Sequence, residues 1–259
     1  MWTRSRFNNE YVPGLFALAI DAYTTKRTEN AWKSMCTIKT SKKAYEENGE
    51  RSGLGLPEMK GEGAPITYDT QIEGAKQKWV PHVYALGVRL SEEAIDDNLY
   101  ELNGGSNGNL SEIFKDLGVS MAENEEVLMA RFLVNGAATT YHTTRGSKAL
   151  FATDHARLDG STYSNKATTT DLTYTAFWAE LIAAENQYDH RQNRIIKRVE
   201  GLWVPPQFEQ KALEILKSVD RPDTANRAVN AYASSGRKIK LHVYPYLSDT
   251  DARYYQLDG

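Results

Sequence analysis

The residues best suited to catalysis lie in one stretch, FATDHARLDGSTYSN, at positions 151–165. It holds a histidine, two aspartates and two serines: His155, Asp154, Asp159, Ser161 and Ser164. A histidine that takes the proton of a serine hydroxyl while a carboxylate orients it is the arrangement of a hydrolase. Neither serine lies in a G-x-S-x-G motif, and Asp, Ser and Gly at this density are typical of polar turns. The pattern favours a polar link, and a hydrolase centred on His155 stays open as an alternative.

No catalytic, cofactor-binding or metal-binding residue is predicted elsewhere. The five histidines form no H-x-x-x-H or H-E-x-x-H pair: His82, His142, His155, His190 and His242. The glycines of GLGLPEMKGEG precede a predicted strand, which does not fit a phosphate-binding loop. The single cysteine, Cys36, excludes an internal disulfide and is expected to be a buried small residue. The segment Asp189-His190-Arg191 is interpreted as the solvated C-terminal end of a helix.

Charge and composition exclude two further classes of function. The net charge is −3, and no run of Lys and Arg reaches five residues, so a basic stripe for DNA binding is not indicated. The longest apolar run is far shorter than the roughly 20 residues that span a bilayer. The N-terminal MWTRSRFNNEY lacks the apolar segment of a secretory signal, so we expect synthesis in a cytoplasm. Apolar residues make up 41% of the chain, a thin core that suggests burial against neighbouring subunits.

The first 90 residues predict a helix followed by a β-hairpin. Pro13 suits the first turn of a helix, and apolar residues at helical spacing extend the pattern to Lys26. Two later segments, ITYDT at 66–70 and the alternating VPHVYALGVRL at 80–90, predict paired strands with a long, glycine-rich, charged tip. A two-stranded hairpin is marginal alone in water, so it needs a surface to lie on.

One predicted helix is unusually long. An N-cap at Asn109 and an apolar stripe predict a helix from Leu110 to Asn135, which at 1.5 Å per residue would run about 39 Å. Ser91 is the expected N-cap of the helix before it, and Thr170 or Asp171 that of the helix after it.

The C-terminal part predicts a compact mixed subdomain. Strand and helix patterns alternate over residues 200–257, in the order EGLWVPP, QFEQKALEILKS, KIKLHVYPYL and RYYQLDG. Alternation of this kind is typical of an α/β or α+β arrangement.

Taken in order, these segments resemble the major capsid proteins of tailed bacteriophages, which have the Hong Kong 97-type fold, and are most similar to the Mu-like prophage major head subunit group. The stretches that carry the resemblance are YVPGL, SKKAYEENGERSGLGLPEMKGEGAPITYD, YALGVRLSEEAIDDNLYE, ALFATDHARLDGSTYSN, LWVPPQFEQKALEILKS, RPDTANRAVNA and YPYLSDTDARYYQ. They cover essentially the whole chain. No single stretch is diagnostic, and the resemblance rests on their common order and spacing.

The resemblance implies an α+β fold divided as that family divides it. The expected parts are an N-terminal arm and helix (1–40), an extended β-hairpin loop (41–90), a peripheral domain (91–164) with a spine helix (110–135), an axial domain (165–250) and the start of a return strand (251–259). The family adds further strands after the axial domain, so we expect either that C-terminal residues are missing from this sequence or that its ending differs. The residues expected at a subunit interface are those of the extended loop: Gly49, Arg51, Gly53, Leu54, Gly55, Leu56, Pro57, Met59, Lys60, Gly61 and Gly63.

The implied function is structural and not enzymatic. Copies of the chain would form hexamers and pentamers of an icosahedral virion shell that encloses double-stranded DNA without sequence-specific binding. No cofactor or membrane is expected. Scaffold, portal and decoration proteins are the expected partners, and the host bacterial cytoplasm is the expected place of assembly. An encapsulin-type shell that encloses protein cargo remains the alternative within the same fold.

Overall fold

The structure is a computed structural model that describes residues 12–89, 110–167, 171–221, 228–248 and 253–258. Its helices are α1 (Val12–Glu29), α2 (Leu110–Val134), α3 (Tyr174–Glu185), α4 (Glu209–Lys217) and α5 (Ala231–Ser234). Its strands are β1 (Glu46–Arg51), β2 (Glu73–Trp79), β3 (His155–Ala156), β4 (Thr162–Tyr163), β5 (Val199–Val204), β6 (Lys240–Val243) and β7 (Tyr254–Leu257). Short 3-10 turns lie at Ala31–Ser34, Arg145–Ser147 and Pro206–Phe208.

The chain forms two compact units, and the first is a pair of packed helices. This unit contains the described residues of 1–40 and 81–129, and the second contains those of 41–80 and 130–259. In the first unit α1 approaches α2 so closely that a Cβ atom on Gly118 would lie 2.1 Å from the carbonyl oxygen of Ala19. Glycine is therefore required at this crossing because any larger side chain would push against main chain.

Polar contacts fix the register of the same helix pair. The buried Asn30 donates from Nδ2 to the carbonyl oxygen of Ala122, at 3.0 Å. The Tyr23 hydroxyl donates to the Glu125 carboxylate at 2.6 Å, and Arg27 Nε donates to its other oxygen at 3.0 Å. The hydrogen bond to Glu125 raises the pKa of Tyr23, because it is made by the protonated hydroxyl.

The second unit is built on a three-stranded mixed sheet. Its order is β6-β5-β7, with β5 parallel to β6 and antiparallel to β7. Side chains of α3, α4 and α5 bury β5 in a common core: Leu172, Tyr174, Phe177, Leu181, Val199, Leu202, Val204, Ala212, Ile215, Leu216 and Tyr232. Pro205 and Pro206 follow the end of β5 and start the turn into α4.

A buried ion pair joins α3 to β7 beside this core. The Arg253 guanidinium bonds both oxygens of the Glu180 carboxylate, and both side chains are more than nine-tenths buried. The Tyr255 hydroxyl donates to the same carboxylate at 2.8 Å. Burial and the negative charge of Glu180 raise the pKa of Tyr255 because both oppose its ionisation.

Most of the helix and strand predictions agree with the structure. Helices occur where they are expected at α1, α2 and α4, and strands where they are expected at β5, β6 and β7. The predicted cap of α3 is wrong, because the Thr173 hydroxyl, rather than Asp171, accepts from the Ala176 amide at 3.1 Å. Three predicted caps lie outside the described residues: Ser91, Asn109 and Thr170.

The predicted hairpin exists, but its strands are not the predicted ones. β1 and β2 pair antiparallel from Glu46↔Trp79 to Arg51↔Glu73, with a bulge after Gly49. Residues 66–70 and 80–89, which we expected to be the strands, are not in strands. The reason is that the ladder between β1 and β2 uses main-chain groups of polar residues, and an alternating apolar pattern does not by itself supply a partner strand.

Candidate functional site: the loop between β1 and β2

The structure does not bring the residues around His155 together as a catalytic relay. His155 is buried in β3, where its ring stacks on Tyr163 and its Nε2 donates to Asn165 Oδ1 at 3.1 Å. The neighbouring Asp154 carboxylate is paired instead with Lys148.

The serines of this stretch are also bonded locally. Ser161 donates from its amide and its hydroxyl to Asp159 Oδ1, at 2.9 and 2.6 Å. These bonds, with one from Gln192, lower the pKa of Asp159 to about 2. The Ser164 hydroxyl donates to the carbonyl oxygen of Lys166 at 2.9 Å. The segment therefore has the geometry of a polar link. A G-x-S-x-G match does occur at 104–108, outside the described residues.

Replacing His155 with alanine is expected to lower stability, because the change removes a stacked, hydrogen-bonded ring from a buried position. We expect a loss of about 1–3 kcal/mol in the free energy of unfolding, measured by denaturant unfolding of the unassembled subunit. Asp154→Ala is the matched control and should cost less than about 1 kcal/mol, because it removes an exposed ion pair. A His155→Ala protein of unchanged stability that had lost a hydrolytic activity would reverse this assignment.

Two further sequence predictions concern ligands and reactivity. In the described part of the chain, no group of three or more His, Cys, Asp or Glu side chains is placed to hold a metal ion. The expectation for Cys36 is wrong: its side chain is exposed, with Sγ 3.6 Å from the carbonyl oxygen of Trp32. The residue follows a short 3-10 turn at the surface of the first unit, which the mixed sequence SMCTIKT does not reveal.

The surface feature that most needs a functional explanation is the loop of residues 52–72, between β1 and β2. Its apolar side chains are largely in solvent, with Met59 fully exposed: Leu54, Leu56, Met59, Ile66 and Tyr68. All eleven residues expected at a subunit interface are exposed, two of them in β1 and nine in this loop. Large apolar side chains gathered on one segment mark interaction surfaces in soluble proteins.

The base of the loop is closed by hydrogen bonds between its two ends. The Ser52 amide donates to the carbonyl oxygen of Ile72 at 2.9 Å, and the Ile72 amide donates to the buried Ser52 hydroxyl oxygen at 2.9 Å. Further along the loop, the Gly55 amide donates to Asp69 Oδ2 at 2.7 Å. This bond joins the outgoing arm, which follows β1, to the returning arm, which leads into β2. These bonds therefore hold the two arms of the loop together where it leaves β1 and β2.

A turn that contains His190 and Arg191 contacts the same loop base. The Arg191 guanidinium donates from Nη2 to Asp69 Oδ1 at 3.0 Å and to the carbonyl oxygen of Thr70 at 2.6 Å. His190 Nε2 donates to the Glu50 carboxylate of β1 at 2.9 Å, while its Nδ1 accepts from the Leu158 amide at 3.3 Å. The interpretation of Asp189-His190-Arg191 as a solvated helix end is therefore wrong, since α3 ends at Glu185 and these side chains bond the hairpin.

The electrostatics of the loop base follow from these bonds. Asp69 accepts hydrogen bonds from the Gly55 and Thr70 amides and lies beside the Arg191 guanidinium. Together they lower the pKa of Asp69, because each favours the ionised carboxylate. The contacts stabilise the loop base while Asp69 is charged and are lost as the pH falls through its lowered pKa.

The other end of the hairpin is held within the same unit. The Trp79 ring stacks on His142 at a centroid distance of 4.7 Å, and Gln77 Nε2 donates to the carbonyl oxygen of Thr143 at 2.7 Å. Gly74 lies so close to the turn between β3 and β4 that a Cβ atom would be 2.6 Å from Leu158 Cδ2. The hairpin is thus fixed along its length, and the loop beyond residue 55 projects from a defined base.

The first unit also carries an exposed apolar segment, at residues 81–89. Its apolar side chains range from two-fifths to almost fully exposed: Val83, Tyr84, Leu86 and Val88. None of the helices in the described ranges is both long and apolar enough to cross a membrane.

Comparisons with known proteins match this architecture to one family. A model of the family described as phage capsid protein matches residues 75–258, more than two thirds of the chain. The fold is similar to a chain of the procapsid of bacteriophage JBD30, with a TM-score of 0.52, 16% identity, and coverage of 91% of this chain and 99% of that one. No curated protein matches. Neither finding favours a cargo-enclosing compartment shell or a hydrolase. The chain belongs to the phage capsid protein family, and its mixed helix and sheet fold serves a major capsid protein that assembles into the shell of the virion.

Proposed function

We propose that the chain is the head subunit of a Mu-like phage with the Hong Kong 97-type fold, and that loop 52–72 holds adjacent subunits together. The observation that carries the proposal is the combination of a firmly braced base with apolar side chains left in solvent. A segment built in this way gains little from its own subunit. It would bury its apolar area on a neighbour, as obligate interfaces do.

The division expected from the sequence is proposed with this role. Residues 1–40 are the N-terminal arm and helix, 41–90 the extended loop, 91–164 the peripheral domain, 165–250 the axial domain and 251–259 the start of a return strand. α2, at 25 residues, supports the assignment of the spine helix. β7 pairs with β5, so the last described residues lie at the edge of the axial sheet.

The shell is proposed to consist of hexamers and pentamers in icosahedral order and to enclose double-stranded DNA. The net charge of −3 supports a lattice that encloses DNA without gripping it, because strong phosphate binding needs a positive surface. Assembly in the host bacterial cytoplasm with scaffold, portal and decoration proteins completes the proposal. No catalysed reaction is included in it.

Replacing the exposed apolar side chains of the loop tip is expected to block assembly without unfolding the subunit. In the variant Leu56→Ser/Met59→Ser/Tyr68→Ser, each subunit loses three side chains, each worth about 1.5–3 kcal/mol if fully buried on a neighbour. We expect normal circular dichroism and a particle fraction below about one tenth of the wild-type value in sedimentation.

The matched control removes equally exposed apolar side chains elsewhere in the same unit. Ile196 and Val219 are both at least 80% exposed and lie outside the loop. Ile196→Ser/Val219→Ser is expected to assemble as the wild type does. Wild-type assembly of the loop-tip variant would refute the proposed role of the loop.

A further inference from the structure

The turn of residues 189–193, which follows α3, is held by hydrogen bonds among its own residues. The Asp189 carboxylate accepts from the amides of Arg191 and Asn193 at 2.8 and 2.7 Å, and from Asn193 Nδ2 at 3.1 Å. A bridge between Tyr188 and Arg194 closes the turn, and the Asp189 amide donates to the carbonyl oxygen of Asn193 at 2.8 Å. The side chains that project from it therefore start from fixed positions.

Three consecutive residues of this turn reach three different segments. His190 bonds β1 through Glu50, and Arg191 bonds the returning arm of loop 52–72 through Asp69 and Thr70. Gln192, at a positive φ of 60°, donates from Nε2 to Asp159 Oδ2 at 2.6 Å and to Ser161 Oγ at 3.0 Å. One short turn thus connects the hairpin, the loop and the β3–β4 turn.

Asp69 is the point where the loop receives this support. One of its oxygens accepts from Gly55 on the outgoing arm, and the other accepts from Arg191 on the turn. The Asp69 carboxylate therefore both links the two arms of the loop and attaches them to the turn of residues 189–193. Most side chains beyond it, on residues 56–68, are exposed, so the tip adds little to its own support.

We propose that Arg191 and Asp69 form a latch that sets the direction in which loop 52–72 leaves its own subunit. With the latch closed, the two arms are held against the turn and the tip projects in one direction. With it open, the loop rotates about the ends of β1 and β2 while both strands stay paired. The latch is a property of the single subunit and goes beyond the proposed role of the loop in assembly. Arg191 is a positioning residue in this account.

The first test is hydrogen exchange of the full-length, unassembled subunit. Arg191→Gln removes both bonds to the returning arm, so we expect the amides of Gly55 and Thr70 to exchange about tenfold faster, because their acceptor Asp69 loses its anchor. The amides of β1, β2 and β5 should keep their protection. Unchanged exchange at Gly55 and Thr70 would overturn the latch.

The matched control is Arg194→Gln, one position beyond the turn. It removes the same charge, but Arg194 bonds Asn186 and lies over the Tyr188 ring rather than contacting the loop. We expect wild-type exchange at Gly55 in this variant. An increase as large as that of Arg191→Gln would also overturn the latch, because it would show a general effect of charge.

Arg191→Gln could destabilise the whole second unit, and faster amide exchange in β5 would reveal that. A second variant is used in that case. Arg191→Lys keeps the charge but loses the planar group that reaches two acceptors, so a smaller increase confined to the loop is expected. No increase in Arg191→Lys, or one shared equally by β5, would count against the latch.

The direction of the loop is measured by pulsed electron paramagnetic resonance. Spin labels on Met59→Cys and Val219→Cys, in a Cys36→Ser background, report the distance from the loop tip to the body of the same unit. We expect one narrow distance distribution, a broad one after Arg191→Gln and a narrow one after Arg194→Gln. A broad distribution in the unmodified turn would overturn the latch and leave the assembly role to be judged from particle formation alone.

Discussion

Replacing Gly118 with alanine is expected to lower the free energy of unfolding of the first unit by about 3 kcal/mol, the upper end of the usual range for overpacking. The added Cβ would lie 2.1 Å from the carbonyl oxygen of Ala19 and 2.9 Å from the Tyr23 amide nitrogen. Both are main-chain atoms, so no side chain can move aside. The helices must separate, which also weakens the bond from Asn30 to Ala122. Calorimetric unfolding of the unassembled subunit measures the loss.

Gly14→Ala is the matched control for this change. Gly14 is also a helical glycine, but nothing lies within 4 Å of the position that its Cβ would occupy. Alanine favours the helix by up to about 1 kcal/mol over glycine, so this variant should be as stable as the wild type or slightly more so. Equal melting temperatures for the two variants would contradict the close approach of α1 and α2.

Replacing Glu180 with leucine is expected to cost about 3–5 kcal/mol, because it removes the carboxylate that pairs with the buried Arg253 charge. The Tyr255 hydroxyl loses its acceptor at the same time. The loss belongs to the second unit, since the cluster joins α3 to β7. Unfolding in denaturant, followed by near-ultraviolet circular dichroism of the unassembled subunit, measures it.

The control removes the whole polar cluster. In Glu180→Leu/Arg253→Met/Tyr255→Phe the ion pair and the hydroxyl of the cluster are removed together, and apolar packing replaces them. Most of the stability lost in the single variant should return, since buried ion pairs often exchange for apolar groups at little cost. A triple variant less stable than Glu180→Leu would contradict this account of the cluster.

Local sequence patterns predict the elements that carry their own signals. α2 follows from a continuous apolar stripe, and the step from β5 to α4 follows from Pro205 and Pro206, which cannot continue a strand ladder. The polar character of 151–165 follows from its turn-forming residues. In each case the information lies within one short segment.

The hairpin strands could not be found in the same way. β1 is EENGER and β2 is EGAKQKW, and neither has the alternating apolar pattern of a half-buried strand. Their pairing depends on main-chain bonds and on support from Gly74, His142 and Leu158, which come together only in the fold.

The pairing of Arg191 with Asp69 has no local sequence signal either. Arg191 and Asp69 are 122 residues apart in sequence. Asp69 lies in a segment predicted to be a strand, and Arg191 in one interpreted as a solvated helix end. Neither segment contains a local sequence pattern that indicates the other residue as its partner. The one sequence signal is that three consecutive residues, His190, Arg191 and Gln192, carry different polar groups.

The most direct test of the central claim, that loop 52–72 joins neighbouring subunits, is an electron cryo-microscopy reconstruction of particles assembled from the unmodified chain. We expect closed shells in which the loop tip of each subunit lies against an adjacent subunit, with Leu56, Met59 and Tyr68 buried in that contact. Closed shells in which the tip lies on its own subunit or in solvent would contradict it.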